Sequence, residues 1–336
     1  MEDQEQEAGP EKENNLFLYS ILAVLALVAV AILINRSTAA PKNQDINKVV
    51  SSDMKVNMQS IVKSDISTEK IAVISVTGII GSPGLTEKVT AELRSASSDA
   101  NIKAVILKVE SPGGGVYDID LIWKEVMKFK ESKKPMVAFF AGVAASGGYY
   151  ISAPADKIMA TPATITGSIG TILQALNYAG LMKKLGVKIM TFKSGKQKDM
   201  LSPYREMDPE TEKILQDWID EDYNEFVRVV SQGRKLDEET VRKLADGRIY
   251  TARQAVKNRL IDSVGYFEDA VELAKKLANS PNASVVEMNA IYTRSNLFYE
   301  SLRVLKKIRE NPADKYMPPN GMYYLAPGLY EKYLDR

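Results

Sequence analysis

The chain has 336 residues, enough for one sizeable catalytic domain with appended segments. It carries 44 Lys and Arg against 43 Asp and Glu, and the net charge of +1 excludes a global field that attracts nucleic acid. The sequence contains no Cys and no His, which excludes disulfides, thiol nucleophiles and every Ser–His or Cys–His catalytic arrangement. A hydrolase with this composition must take its general base from Lys, Asp or Glu, or use a metal ion held by oxygen ligands.

An uncharged apolar run follows an acidic tail at residues 1–15. Residues 16–34 contain no charge, and at about 1.5 Å per residue they reach across a bilayer core of about 30 Å. We therefore predict one transmembrane helix over residues 16–35, in contact with the lipid bilayer. A cleaved signal peptide is the alternative, because Thr-Ala-Ala at 38–40 has the small residues of a cleavage site. The run is longer than the apolar core of a signal peptide, and its leader is not basic.

The charges around this run give a small bias in orientation. One cation, Lys12, precedes the run, and three follow it closely: Arg36, Lys42 and Lys48. The positive-inside rule then favours an outside N-terminus. Residues 36–69 are polar and show no framework of turns, so we interpret them as a linker.

Between residues 70 and 295, short β-rich runs alternate with amphipathic segments. The β-rich runs lie at 71–80, 104–111, 136–140, 157–162 and 187–192. The helix-like segments lie at 86–98, 117–130, 209–244 and 269–277. Strands that alternate with helices of this length indicate βαβ units and predict an α/β layer fold. Residues 296–336 follow as a basic amphipathic segment, interpreted as a helix, and a tail rich in Pro, Gly and Tyr.

Three consecutive glycines follow one of the predicted strands, in Ser-Pro-Gly-Gly-Gly-Val at 111–116. Glycines let main-chain N–H groups approach a ligand with no Cβ in the way. This property suits an oxyanion hole, in which N–H donors face the charge that develops on a carbonyl oxygen. The alternative is an ordinary tight turn into the helix predicted at 117–130.

Ser146 lies between small residues at a predicted strand-to-helix junction, in Ala-Ala-Ser-Gly-Gly at 144–148. A serine in such a bend projects its hydroxyl beside a helix N-terminus, which favours negative charge. Ser146 is therefore a candidate nucleophile. The alternative is a serine that caps the helix.

A base for this nucleophile has to come from a residue other than His. Three lysines follow the predicted strand at 187–192, namely Lys193, Lys196 and Lys198. A lysine can deprotonate a serine only when burial keeps its amine neutral, and most lysines are solvated surface residues. The residues alone do not choose among these three and the other lysines. Ser168 is a candidate to orient the amine, and its alternative is a serine in a turn.

Six motifs, in their order and spacing, resemble the signal peptide peptidase A family of Ser–Lys serine peptidases. They are SPGGGVY at 111–117, AASGGYYIS at 144–152, ATPATITGSIG at 160–170, FKSGKQKDMLSP at 192–203, DGRIYTARQA at 246–255 and LIDSVGYFEDA at 260–270. The resemblance covers about residues 70–275. It implies a crotonase-like and Clp-protease-like α/β fold, a ββα superhelical domain. It also implies endopeptidase activity toward signal peptide remnants in the membrane, with no metal and no other cofactor.

The matching motifs imply a role for five residues. The nucleophile falls on Ser146 and the general base on Lys198, and Ser168 falls on the position that orients the lysine. The backbone N–H of Gly113 or Gly114 falls on the oxyanion hole.

A chain with one such domain resembles the short form of the family. This implies a homo-oligomeric ring in which the serine and the lysine of one active site come from neighbouring protomers. It also implies hydrophobic peptide substrates and a single-pass protein of the cell membrane with an extracytoplasmic catalytic domain, although the acidic tail differs from the basic leader usual in the family. The alternatives are a peptidase of membrane-protein quality control, a crotonase-type acyl-CoA enzyme and a noncatalytic membrane scaffold. The tail at 317–336, with Tyr-Leu-Ala-Pro at 324–327, is a candidate pseudo-substrate.

Overall fold

The computed structural model describes residues 54–61, 67–292 and 322–325. The chain divides into two units, residues 1–52 and 53–336, and every described residue belongs to the second unit. The predicted acidic tail, the predicted transmembrane helix and most of the C-terminal segment lie outside the described residues. None of the helices in the described ranges combines the length and apolar character that a membrane crossing requires.

Strands and helices alternate along the described chain. The strands are β1 (Met54–Ser60), β2 (Lys70–Thr77), β3 (Ile102–Ser111), β4 (Gly113–Gly115), β5 (Met136–Ala145), β6 (Lys157–Ala160), β7 (Ile165–Gly167), β8 (Ile172–Leu173), β9 (Ile249–Thr251), β10 (Ser263–Val264), β11 (Ser284–Tyr292) and β12 (Met322–Leu325). The helices are α1 (Leu85–Ser98), α2 (Val116–Glu131), α3 (Gly147–Ser152), α4 (Ala179–Lys184), α5 (Pro209–Arg234), α6 (Glu238–Leu244), α7 (Ala252–Lys257) and α8 (Phe267–Leu277).

Nine strands form one mixed sheet. Its main path is β1-β11-β2-β3-β5-β6-β10, β7 pairs with β5, and β9 pairs with β7. The β1–β11 and β7–β9 pairs are antiparallel, and the other pairs are parallel. A second sheet has the order β4-β12-β8, with both pairs antiparallel. Because β3 and β5 are parallel neighbours, the segments that follow them begin at the same edge of the main sheet.

The central strands are apolar on both faces because helices cover both faces of the sheet. Ile74 and Leu107 belong to a core that includes residues of α1, α2, α3 and α5. Val73 and Ile106 point the other way, into a second core under α8. All four side chains are at most 1 % exposed. The predicted Clp-protease-like α/β fold is confirmed.

Strand β1 lies inside the segment interpreted as a linker, residues 36–69. Its residues alternate between half-buried and more exposed positions, and all seven pair with β11. A short alternation of apolar and polar residues within a polar stretch is a weak signal for a strand. The partner strand β11 also lies more than 200 residues further along the chain. The body therefore includes residue 54, whereas the prediction placed its start at residue 70.

The strand predicted at 187–192 is wrong. These residues have no strand conformation in the described chain. Their large apolar side chains, Val187, Ile189, Met190 and Phe192, are between 47 % and 89 % exposed. A strand-forming sequence needs a partner for its backbone groups, and no described strand of the same protomer pairs with it.

Glu92 is a buried carboxylate on α1 that contacts β11. Its Oε1 accepts the N–H of Ala290 at 2.8 Å, and its Oε2 has no partner among the described residues. Burial raises the pKa of Glu92 to about 7, although Lys88 at 4.0 Å opposes the shift. The pKa of Glu92 is higher in the folded state than in the unfolded state. The stabilising contribution of this carboxyl group to folding is therefore complete below the ordinary pKa of 4.5, and it is lost as the pH rises through about 7.

We expect Glu92→Gln to raise the free energy of unfolding at pH 8 by roughly 1–3 kcal/mol and to change it little at pH 5. The amide keeps an acceptor for the Ala290 N–H and carries no charge into the core. Urea unfolding at the two pH values measures the effect. Glu272→Gln, at a side chain that is 73 % exposed, is the control and should change stability by less than about 0.5 kcal/mol at both. An equal effect of Glu92→Gln at both pH values would contradict the buried charge.

Candidate active site

Ser146 lies at the bend where β5 ends and α3 begins. It adopts φ 51° and ψ −119°, a conformation that costs a residue other than glycine about 1–3 kcal/mol. Neighbouring segments hold this geometry: the Ser146 N–H donates to the Gly167 carbonyl at 2.7 Å, and the Ser146 carbonyl accepts the Tyr150 N–H at 2.9 Å. The predicted strand-to-helix junction is confirmed. A sharp bend of this kind is the backbone device that presents a nucleophile in many hydrolases.

The Ser146 side chain does not cap the helix. A capping serine has an extended backbone and accepts an N–H from the first helical turn, whereas Ser146 has a positive φ and makes no capping bond. The residue is 0 % exposed, and its Oγ has no hydrogen-bond partner among the described residues. Leaving a buried hydroxyl unpaired costs about 1–3 kcal/mol. The alternative interpretation as a capping serine is therefore wrong, and the hydroxyl is available to another group.

The end of β3 lies directly against the start of α3. Ser111 pairs with Ala144 in the ladder between β3 and β5. A Cβ on Gly148 would lie 2.9 Å from the Ser111 carbonyl oxygen, closer than real Cβ atoms come. Glycine at 148 therefore permits the contact that holds the glycine strand β4 beside the bend at Ser146.

Strand β4 is fixed on one side by Ile80. The Gly113 carbonyl accepts the Ile80 N–H at 2.9 Å, and the Gly115 N–H donates to the Ile80 carbonyl at 3.1 Å. A Cβ on Gly114 would lie only 1.8 Å from the same Ile80 carbonyl oxygen, so this position requires glycine. Because alternate residues of a strand direct their backbone groups to opposite sides, the N–H of Gly114 points away from Ile80.

The other side of β4 pairs with β12, a segment from the C-terminal part of the chain. The register pairs Gly113 with Leu325, Gly114 with Tyr324 and Gly115 with Tyr323. The opposite edge of β12 pairs with β8, where Met322 lies across from Leu173. A four-residue segment thus lies extended between two strands, the arrangement in which proteins bind peptides by strand addition.

The two glycines predicted for the oxyanion hole differ in their contacts. The Gly113 N–H donates to the Ser111 hydroxyl at 3.1 Å. The Gly114 N–H faces β12, as described above. Both therefore lie on the strand that contacts the extended segment, and only Gly114 directs its N–H toward it.

Ser168 lies one residue beyond the carbonyl that accepts the Ser146 N–H. It also has a positive φ, 49°, and it is 6 % exposed. Its N–H donates to the Arg248 carbonyl at 2.8 Å. Since β7 pairs with β5, the structure brings Ser168 and Ser146 into adjacent backbone segments. Two serines with strained backbones at one place are typical of a functional site.

Lys198 lies elsewhere, in a turn between α4 and α5. Its side chain is exposed, and its N–H donates to the Gly195 carbonyl at 3.1 Å. Its amine makes no ion pair or hydrogen bond with the described residues. Because the Ser146 hydroxyl has no described partner either, Lys198 and Ser146 do not bond within one protomer.

The two neighbouring lysines are already paired with carboxylates. Lys193 donates to Asp199 at 2.6 Å, a bond that lowers the pKa of Asp199. Lys196 pairs with Glu210, and this hydrogen bond raises the pKa of Lys196. A lysine that is held in its charged form cannot take up a proton. Of the three candidates, Lys198 is the one left free for a partner outside the described protomer.

Three parts of this arrangement are not evident from the sequence. Ile80 belongs to an apolar run, which indicates a core residue and gives no sign that its backbone would fix β4. Strand β8 has only two residues, too few for any periodic pattern. Ser111 was part of a recognised motif, but its bond to Gly113 depends on the tertiary arrangement.

The sequence matches peptidase family S49 over residues 128–280 and the Clp protease family over residues 43–174. A protein of Enterococcus faecium that carries the name of a signal peptide peptidase, SppA, is 42 % identical over 252 residues, which are 72 % of this chain and 73 % of the relative. Protease 4 of Haemophilus influenzae is 34 % identical over 65 % of this chain and 36 % of its own length. The chloroplastic serine protease SPPA of Arabidopsis thaliana is 33 % identical over 61 % of this chain and 31 % of its own length.

These similarities and the Clp-like sheet agree on one class of protein. The chain belongs to peptidase family S49 and is a serine peptidase. A serine peptidase thereby replaces two alternative interpretations of the sequence, the crotonase-type acyl-CoA enzyme and the noncatalytic membrane scaffold.

We expect Gly114→Ala to lower the free energy of unfolding by at least about 2 kcal/mol and to displace β4, because the new Cβ meets the backbone of Ile80. Thermal unfolding measures the loss, and peptide hydrolysis should fall with it. Gly170→Ala is the matched control, since its Cβ would make an ordinary contact at 3.8 Å from Gly247. Equal stability of the two variants would contradict the close approach of β4 to Ile80.

Proposed function

We propose that the chain is a membrane-anchored serine endopeptidase in which Ser146 is the nucleophile and Lys198 of a neighbouring protomer is the general base. The observation that carries this proposal is the buried, unpaired hydroxyl of Ser146 on a strained bend, beside a glycine strand that already holds an extended segment. Lys198 also supports the proposal, because its amine is exposed and unpaired in the described protomer.

Each step of peptide hydrolysis then has a residue to perform it. The Lys198 amine, neutral in its buried state, takes the proton from the Ser146 hydroxyl as Oγ attacks the peptide carbonyl. Of the two glycines predicted for the oxyanion hole, Gly114 is the one whose N–H is directed toward the extended segment, whereas the Gly113 N–H donates to Ser111. The oxyanion is therefore stabilised by the N–H of Gly114 and by the N–H of Gly147, the residue after the nucleophile. The lysine gives its proton to the leaving amine. Water then hydrolyses the acyl-enzyme with the same amine as base, and the Ser168 hydroxyl orients that amine throughout.

A homo-oligomer is part of this proposal because one protomer does not contain a complete site. A neutral lysine requires an apolar environment, and Lys198 is exposed in the described chain. Insertion of the segment that carries Lys198 into the site of a neighbouring protomer would bury the amine beside Ser146. Such an arrangement makes peptide hydrolysis dependent on assembly into a ring.

Hydrophobic peptides in or near the membrane are the proposed substrates, with signal peptide remnants first among them. The cleft between β4 and β8 recognises backbone groups, so it accepts many sequences in the extended conformation. The predicted helix at 16–35 would hold this cleft at the membrane surface. The family resemblance supports the extracytoplasmic side for the cleft, and we give it more weight than the small charge bias, which favours the opposite orientation. A second proposed role of the same peptidase is quality control, in which membrane proteins are the substrates.

Strand β12 supports this position for the substrate. A segment of the chain itself lies where an extended peptide would pair with β4 and β8. In our proposal the C-terminal tail, residues 317–336, acts as a pseudo-substrate that competes with other peptides for the cleft.

We expect Ser146→Ala and Lys198→Ala each to lower kcat for peptide hydrolysis at least about 1000-fold while assembly persists. Lys196→Ala is the matched control for the lysine, because its amine already pairs with Glu210. It should retain kcat within about threefold. Cleavage of a hydrophobic fluorogenic peptide measures the rates, and a serine-reactive phosphonate should label the wild type at Ser146. A Lys198→Ala variant with wild-type turnover would remove the general base from the proposal.

Mixing the two inactive variants tests whether one site uses two protomers. In rings that contain both, some interfaces combine an intact serine with an intact lysine, so part of the activity should return. Subunit exchange is monitored by native mass spectrometry. Complete exchange with no return of hydrolysis would place the serine and the lysine of one site on the same protomer.

Deletion of residues 317–336 tests the role of the tail. A tethered segment has an effective concentration in the millimolar range, so its removal should raise the rate of phosphonate labelling roughly tenfold or more. The serine variant Ser146→Ala provides the background of nonspecific labelling. Unchanged labelling and unchanged KM after the deletion would exclude competition by the tail.

A further inference from the structure

The turn that carries Lys198 is closed by its own backbone bonds. We call residues 195–202 the lysine turn. The Lys198 N–H donates to the Gly195 carbonyl at 3.1 Å, and the Met200 N–H donates to the Gln197 carbonyl at 3.2 Å. None of these residues is buried, so packing against the core does not fix the lysine turn. The bonds of its side chains therefore decide how firmly it is held.

Gln197, directly before Lys198, is joined to α5 through a buried threonine. The Thr211 hydroxyl lies 2.7 Å from Oε1 of Gln197 and 3.0 Å from Oδ2 of Asp208. Its single proton can be donated to one of these two acceptors at a time. Thr211 is 0 % exposed, and a hydrogen bond in such an environment is stronger than one at the surface.

Asp199, directly after Lys198, is held by two cations. Its Oδ1 lies 2.6 Å from Nζ of Lys193 and 3.2 Å from Nε of Arg205. The guanidinium of Arg205 also pairs with Asp208, at 3.3 Å. Charged groups that share partners in a network contribute more than an isolated surface pair. Both sequence neighbours of Lys198 are thus bonded, and the two sets of bonds meet at Asp208.

Asp208 connects this network to the body of the protein. It is the residue that caps the N-terminus of α5, where its Oδ1 accepts the Thr211 N–H at 3.0 Å. Further along the same helix, Phe226 and Val230 are 0 % exposed and belong to the main core. Groups supported by a helix of the scaffold are positioned more precisely than groups on a free loop. The lysine turn therefore has a rigid support although it lies at the surface.

The network is not arranged for stability alone. The Gln197 Nε2 and the Arg205 Nη2 are buried and have no hydrogen-bond partner among the described residues. Unpaired buried donors cost stability, and a network that contains them is typical of a segment whose geometry serves a function. The Lys198 amine takes part in none of the bonds of this network. The network thus fixes the backbone on both sides of Lys198 and leaves the amine free.

We propose that Thr211 is a positioning residue for the general base. Its hydroxyl fixes Gln197 and, through Gln197, the backbone of Lys198. Thr211 itself touches neither the substrate nor the reacting atoms. The inference rests on the proposed function, in which the Lys198 amine takes the proton of Ser146. A displacement of about 1 Å in a catalytic group can lower a rate about 100-fold, so the support of the lysine turn matters for hydrolysis.

Thr211→Val removes the hydroxyl and keeps the branched shape of the side chain. In the assembled full-length chain in detergent, we expect kcat for peptide hydrolysis to fall at least about tenfold and KM to change less than about twofold. Thr211→Ser keeps the hydroxyl and should retain kcat within about threefold. Amide hydrogen exchange of residues 195–202 should become at least about tenfold faster in the valine variant, because the lysine turn then opens more often. Native mass spectrometry checks that each variant assembles.

Thr240→Val is the matched control. Thr240 and Asp237 make the same two capping bonds at the start of α6, at 2.8 and 2.7 Å, and no bond among the described residues joins them to the lysine turn. We expect kcat and the exchange of residues 195–202 to stay within about twofold of the wild type.

Gln197→Met removes the other end of the bond from a half-buried position, so it remains a test if Thr211→Val does not fold. It should lower kcat to a similar extent. Because both substitutions break one bond, their combination should lower kcat little further than either alone.

Several results would overturn the proposal. An equal loss of kcat in Thr211→Val and Thr211→Ser would show that the hydroxyl is not the cause. The same kcat in Thr211→Val and Thr240→Val, with or without faster exchange, would remove the positioning role, and a raised KM at constant kcat would place Thr211 in substrate binding. The turnover of Lys198→Ala is measured separately, so it shows whether the proposed function fails as well.

The exchange rates do not depend on which residue is the base. They therefore report on the support of the lysine turn even if the Ser–Lys proposal fails.

Discussion

The backbone of Ser146 is the constraint around which the site is built. A residue other than glycine keeps a positive φ only when neighbouring segments fix it, and here the Gly167 carbonyl and the first turn of α3 do so. The parallel pairing of β3, β5 and β7 brings those segments together. Backbone strain and an unpaired hydroxyl both cost stability, and the buried sheet supports them because both of its faces are covered by helices.

Backbone contacts also organise the cleft beside this serine. Strand β4 has Ile80 on one side and an extended segment on the other, and the absence of a side chain at Gly114 makes this double pairing possible. Recognition through N–H and C=O groups depends little on sequence. A cleft of this type suits a family S49 peptidase whose proposed substrates share hydrophobic character and an extended conformation, and have no common motif.

The described protomer contains only part of the proposed active site. The serine, the glycine strand and Ser168 come together within one chain, while Lys198 lies in an exposed turn between α4 and α5 and pairs with no carboxylate of the described residues. In the proposed function, hydrolysis depends on assembly, because the Lys198 amine becomes buried and neutral only in the interface between two protomers.

The sequence by itself determined the α/β layers, the junction at Ser146 and the family, since apolar periodicity and glycine motifs are local signals. The absence of His and Cys also restricted the possible general bases to Lys, Asp, Glu or a metal site. Tertiary structure decided what depends on distant partners: β1 formed in a segment interpreted as a linker because β11 pairs with it, and the run at 187–192 stayed unpaired. The tertiary structure also distinguished Lys198 from the other two candidate lysines. Folding pairs Lys193 with Asp199 and Lys196 with Glu210, and it leaves the Lys198 amine without such a partner among the described residues. Pairing over long sequence distances leaves no local pattern, and for that reason the chain alone could not reveal it.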